Sequence, residues 1–184
     1  MEYIILGLLL FKDMTIYEMN SNFKESLSLI YSASYGSLQN ATKKLLKTDL
    51  INFSQTIDNG RNKKIYRISD LGKAAFLSWM MQNEISPGKL EVTMLSKIYF
   101  LGLIESIEDK MSIIHGLLKT ATIVTDEMKS FRGSLSALQL SDDQLSIAKY
   151  QFKTLDYGIM AHDSGLSWLK DFYSELESEL ETSK

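Results

Sequence analysis

The chain has 184 residues, 45% apolar and 23% charged, with a formal net charge of −3. That balance is ordinary for a folded protein with one sizeable core or two small ones, and it excludes a disordered chain. Cysteine is absent, so no disulfide framework or thiolate metal site is available, which fits a reducing cytoplasm.

The charge is unevenly spread. Residues 1–83 hold 10 basic against 7 acidic side chains, and residues 84–184 hold 10 against 16. Within residues 34–73 the count is 8 basic to 3 acidic, so positive charge collects in one short stretch. One proline and ten glycines across the whole length predict a helix-dominated fold.

Residues 2–11 read as a first helix. Their apolar run is too short to span a bilayer, and Glu2 stands where a signal peptide would be basic. Apolar side chains wrap most of this helix, including Ile4 and Leu8, so a second chain or a second domain is expected to help cover it. After the connector Lys12-Asp13-Met14, Thr15 and Glu18 have the spacing of a capping box. The second helix then runs to about Lys24 and buries Ile16, Met19 and Phe23. A serine-rich turn with Ser26, Ser28, Ser32 and Ser34 leads to the third helix.

Ser34 is the predicted N-cap of that helix. At 100° per residue, Leu38, Ala41, Thr42, Leu45 and Leu46 fall on one side. Gly36, Gln39, Asn40, Lys43, Lys44 and Lys47 fall on the other. An outer face of amides and lysines without a carboxylate suits base edges and phosphates in a DNA groove. Gln39, Asn40 and Lys43 are the candidate base readers, set against an ordinary polar surface. Ser34, Tyr35 and Ser37 are candidate phosphate donors. Ile51, Phe53 and Ile57 then mark a strand, Asp58-Asn59-Gly60 a turn, Arg61-Asn62-Lys63-Lys64 a basic tip and Ile65–Ile68 a second strand. A helix followed by a basic hairpin predicts a winged helix, a DNA-binding variant of helix-turn-helix, with Arg61, Asn62, Lys63 and Lys64 reaching phosphate or minor groove.

Ser69-Asp70 caps a fourth helix carrying Leu71, Ala74, Ala75, Leu77 and Trp79. Polar residues and breakers cluster only at residues 83–88. The boundary is therefore placed there, giving a winged-helix domain over 1–83 and a helical domain over 84–184. The second half is predicted wholly helical: residues 90–103, residues 107–131, a link over 133–140, and a long helix from a capping box at Ser141 and Gln144 to about Glu181. That last helix keeps a seven-residue apolar repeat: Leu145, Phe152, Ile159, Leu166 and Tyr173, with Leu155, His162, Leu169 and Leu176. At roughly 60 Å long it needs partners along its length. The expectation is a dimer arm rather than packing within one chain.

The N-terminal pattern resembles the PadR family of bacterial transcriptional regulators. Tyr17-Glu18, Gly36-Ser37-Leu38, Lys43-Lys44-Leu45 and Leu50-Ile51 carry the likeness. So does the wing from Gly60-Arg61 through Lys64, Tyr66, Ile68-Ser69 and Gly72, and Leu155-Asp156-Tyr157-Gly158 and Trp168-Leu169 resemble the long last helix of larger members. The resemblance implies a homodimeric repressor of mainly α structure with a small two-stranded wing. A C-terminal helical domain and the first helix would join the protomers, and a small aromatic or hydrophobic effector would enter between the domains. Gln39-Asn40 replace the family's Tyr-Pro, Thr42 its leucine and Asp49 its helix-ending glycine. Thr42 is expected to bond back to the Leu38 carbonyl, and a left-handed Asp49 would cost about 1 kcal/mol against glycine.

Histidines occur only at 115 and 162, and no phosphate loop, nucleophile elbow or metal-ligand spacing is present, so an enzyme is not expected and no cofactor is called for. His162-Asp163 reads as an interface histidine rather than a metal or acid–base site. Trp79, Tyr99, Phe100, Phe152, Tyr157 and Trp168 are candidates to line an effector pocket, against the plainer reading as core. The partners expected are operator DNA, a second copy and a small apolar or aromatic effector, with no membrane. The alternative is a helical interaction protein or sensor whose winged helix no longer reads DNA.

Overall fold

The computed structural model describes residues 1–28, 34–58, 61–135 and 138–182. The elements are α1 (Glu2–Phe11), α2 (Ile16–Asn22, continuing as a π-helical turn Phe23–Leu27), α3 (Tyr35–Lys47), β1 (Ile51–Asp58), β2 (Arg61–Ile68), α4 (Asp70–Met81), α5 (Leu90–Tyr99), α6 (Ile107–Leu135) and α7 (Asp142–Thr182). This is the mainly helical chain with one two-stranded wing that the sequence predicts. The expected turn residues Tyr31, Ser32, Asn59 and Gly60 lie outside the described residues.

The chain forms two compact units, residues 1–82 with 91–104, and residues 83–90 with 105–184. The division therefore differs from a single cut at residue 83, because residues 91–104 group with the winged helix. Phe100 is the reason. Its ring is fully buried, edge-on to Phe76 at 5.7 Å and near Phe11 at 6.1 Å. It also fills the place where a Cβ on Gly7 would sit, 2.6 Å from the ring. Burying a side chain of this size is worth about 1.5–3 kcal/mol, and no periodic pattern marks its partner.

In the first unit α1 packs on α3, α4 and β2. Ile4 and Leu8 are 3% and 1% exposed. This corrects their expected place on a dimer face: a single chain already covers them. α2 starts with the predicted capping box, in which the Thr15 N–H donates to Glu18 at 2.7 Å and the Glu18 N–H donates to the Thr15 hydroxyl at 3.2 Å. Those bonds from Thr15 hold the Glu18 carboxyl below its usual range. α4 buries Gly72, Phe76 and Met80, while Leu71 and Leu77 are exposed. Gly72 is needed at a close approach, since a Cβ there would lie 2.0 Å from the Leu50 carbonyl oxygen.

In the second unit α6 runs four residues past the predicted end, through Gly133 to Leu135. It lies antiparallel to α7. His115 meets Tyr173 with ring centroids 6.2 Å apart, Lys129 pairs with Asp163 at 2.6 Å, and Arg132 pairs with Asp156 at 2.7 Å. The seven-residue seam thus packs inside one chain. Leu169 and Leu176 are buried, and Phe152, Leu155, Ile159, His162, Leu166 and Tyr173 are half-buried on the α6 side, while Leu145 is exposed. Where a dimer arm was expected, α6 of the same chain covers this seam, since a 3.5-residue repeat calls for a covering helix without specifying which one. Asp163 is engaged by Lys129 and stands apart from any acid–base role.

Candidate nucleic-acid interface

Helix α3 is built as its sequence requires. Ser34 accepts from the Ser37 N–H at 3.1 Å, and the Ser37 hydroxyl accepts in return from the Ser34 N–H at 3.1 Å. Both hydroxyls are therefore occupied in the cap, although both residues are exposed, as is Tyr35 beside them. Leu38, Ala41, Thr42 and Leu45 are buried, and Thr42 donates to the Leu38 carbonyl at 2.8 Å as expected. That bond removes the cost of a hydroxyl on the core side.

The far side of α3 carries Asn40, Lys43 and Lys47, all exposed, with Gln39 half-buried at its margin. Lys44 sits apart. Its ammonium lies 2.9 Å from the Glu2 carboxylate of α1, so the expectation of a face without carboxylates holds for α3 itself and fails for its surroundings. Among the described residues Lys43 and Lys47 enter no ion pair. They form the unneutralised part of the face.

The helix ends in a two-bond cap: Asp49 N–H to the Leu46 carbonyl at 3.2 Å and Leu50 N–H to the Leu45 carbonyl at 3.0 Å. This is a Schellman motif, which needs a left-handed residue, and Asp49 supplies it with φ 55°. Ser69 ties the same corner to the wing by donating its hydroxyl to the Asp49 carbonyl at 2.7 Å and its N–H to the Leu50 carbonyl at 3.1 Å. The angle between α3 and the wing is thus set by main-chain bonds.

The wing is longer than the sequence suggested. β1 and β2 pair from Ile51↔Ile68 out to Asp58↔Arg61, so the basic run stands on β2 rather than in a turn. The cause is the two-residue connection, which lets strand pairing reach its outermost positions. Side chains alternate along a strand, so Asn62 and Lys64 share a face while Lys63 stands on the other. The Lys64 ammonium is held 4.3 Å from the centroid of the Phe53 ring. Lys63 lies close enough to Glu18 to favour its ionised form. Asn62, Lys63 and Lys64 therefore do not converge on one point but line the strand. Met14 bonds both ways to Tyr66, at 3.0 and 2.8 Å, which makes the expected connector a short third rung of the sheet. Asp13 beside it accepts from Arg67 at 2.6 Å, a pairing across 54 residues that no local pattern reveals.

The aromatic residues proposed for an effector pocket divide. Trp79 stacks on Tyr3 at 5.0 Å and Phe100 is core, with Tyr99 at its edge, all in the first unit. Phe152, Tyr157 and Trp168 belong to the second unit, where Tyr157 and Trp168 are 68% and 50% exposed. Neither unit brings its three together as one pocket. Sequence reasoning also missed Lys97, which is buried in the first unit and donates to the Met80 and Gln82 carbonyls at the end of α4. No local pattern sets this lysine apart, since the same helix also carries Glu91, Thr93 and Ser96. No helix among the described residues is long and apolar enough to cross a membrane.

Two helices followed by a paired basic wing, with an exposed amide and lysine face on the second helix, define a winged helix-turn-helix protein. The comparisons agree. Residues 5–78 match the model of the transcriptional regulator PadR-like family. Over 182 residues the chain is 28% identical to the negative transcriptional regulator PadR of Bacillus subtilis, covering 97% of this chain and 94% of that one. The crystal structure of Bacillus subtilis PadR in complex with operator DNA has 24% identity, covers 95% of this chain and 98% of that one, and gives a TM-score of 0.46. The structure of smu.1604c from Streptococcus mutans has 25% identity, 97% coverage of both chains and a TM-score of 0.41.

Proposed function

We propose that the protein is a homodimeric, cytoplasmic, DNA-binding repressor that reads a pseudo-palindromic operator through two copies of α3. The observation that carries this reading is the face of Asn40, Lys43 and Lys47, exposed and unneutralised on a helix whose opposite side is fully buried. Asn40 and Gln39 are amides able to pair with an adenine edge, and Lys43 and Lys47 are placed for phosphates. Asn62 and Lys64 on one face of β2, with Lys63 on the other and Arg61 at its start, serve flanking backbone or minor groove.

Pairing of two chains is supported by a second apolar stripe on α7, away from α6. Tyr150, Tyr157 and Trp168 are 69%, 68% and 50% exposed and recur at helical spacing. Exposed apolar area of this extent is costly in a lone chain and is a feature of association surfaces. This stripe replaces Ile4, Leu8 and the seven-residue seam as the dimer face. A small hydrophobic or aromatic effector that weakens DNA binding completes the reading. The test is capture and sequencing of bound genomic fragments, followed by titration of the enriched duplex. Asn40→Ala should change the preferred base at one position of each half-site with little change on random duplex. An equal loss on every sequence would overturn the base-reading role, and no enrichment over random DNA would overturn the function.

A further inference from the structure

Among the described residues the α6–α7 ion pair nearest the start of α7 is Arg132–Asp156, and α7 begins fourteen residues before Asp156. The overhanging part of α7, the end of α6 and residues 138–140 line an open-sided cavity of about 690 Å³. Its walls are apolar: Phe131 and Leu135 of α6, Leu140 of the linker, and Phe152 and Leu155 of α7. We propose that this cavity binds a neutral, mainly apolar small molecule carrying a single hydrogen-bonding group. It deepens the effector part of the proposed function and is independent of the DNA part.

Three observations fix the class of ligand. The volume lies within the roughly 300–1,000 Å³ of sites that take small molecules, and a space walled by two helices and a linker buries such a molecule on several sides. No residue lining it is charged. The charged pair beside Phe152 is internally compensated, since Arg132 is paired with Asp156 at 2.7 Å and lies 4.8 Å from the Phe152 ring centroid. A carboxylate or ammonium would lose its water there without gaining a partner. Among the polar lining residues, Gln144 accepts from the Ser141 N–H at 3.0 Å and Thr154 donates to the Tyr150 carbonyl at 3.2 Å. The exposed Gln151 amide, with no hydrogen bond among those of the described residues, is the group best placed for a ligand hydroxyl or carbonyl.

The test uses the full chain without DNA and the neutral dye N-phenyl-1-naphthylamine, whose emission rises in apolar surroundings. Wild type should show one saturable site per chain. Gln151→Trp, an exposed position at which a large side chain blocks the cavity without entering the core, should weaken it at least tenfold. Ala148→Trp fills the same space from the wall, while Ile123→Ala on exposed α6 surface should leave binding unchanged. The anionic analogue 8-anilinonaphthalene-1-sulfonate should bind at least tenfold more weakly than the neutral dye. Absence of a saturable site, equal binding by Gln151→Trp, or preference for the anionic dye would each overturn the proposal. So would a fall in particle mass by light scattering for Gln151→Trp, because the cavity would then be a seat for a second copy. A chain that binds the dye but no operator leaves this site standing and overturns the DNA reading alone.

Discussion

Replacing Lys43 or Lys47 by alanine tests the proposed interface most directly, because the structure separates these two lysines from their neighbour Lys44. Each ammonium released from a phosphate lowers the salt slope of log affinity by about 0.9, and a symmetric dimer loses two, so each variant should flatten the slope by about 1.8. Between 50 and 200 mM salt that difference amounts to about a twelvefold narrowing of the gap between wild type and variant. Lys44 lies 2.9 Å from Glu2 and is already compensated, so Lys44→Ala should change the slope by well under half as much. Glu2→Gln should steepen it by releasing Lys44. The assay is fluorescence anisotropy on random and enriched duplexes at four or more salt concentrations, with circular dichroism to confirm folding. Equal slopes for wild type, Lys43→Ala and Lys47→Ala would refute the interface. A Lys44→Ala effect as large as theirs would refute the role given to Glu2.

Other expected outcomes concern the frame that holds the interface. Asp49→Gly should stabilise the winged helix by about 1 kcal/mol, because it relieves a left-handed backbone and removes a negative charge from the end of α3. Asp49→Asn should give less, and thermal melts showing asparagine equal to glycine would assign the whole gain to charge. Gly72→Ala places a Cβ 2.0 Å from a main-chain oxygen and should cost at least ~2 kcal/mol; an unchanged melting temperature would contradict the close approach. Burial pushes Lys97 down to about 8 from its ordinary 10.5. Between those values the unfolded chain holds a proton that the folded chain lacks, so stability should rise with pH from about 8 to about 10.5, by at most ~3 kcal/mol. Lys97→Met should lose that rise in urea titrations across the window, and parallel curves for the two proteins would show that the lysine is not buried in solution.

The sequence by itself determined the local elements around the interface. Reciprocal caps at Thr15 and Ser34, the apolar stripe of α3, the Thr42 bond to Leu38 and the left-handed Asp49 all depend on residues within a few positions of one another, and local spacing encodes them. The paired strands were legible too, apart from their length, because a two-residue connection allows pairing further out than the apolar residues reach. Partners distant in the chain were not legible. Glu2 neutralising Lys44, Asp13 holding Arg67 and Phe100 filling the space beside Gly7 arise only when the chain folds back. A seven-residue repeat states that a helix will be covered along one stripe but cannot say by which helix. Only the tertiary structure decided that α6 covers the seam of α7, turning the expected dimer face inward. The stripe of Tyr150, Tyr157 and Trp168 was thereby left exposed.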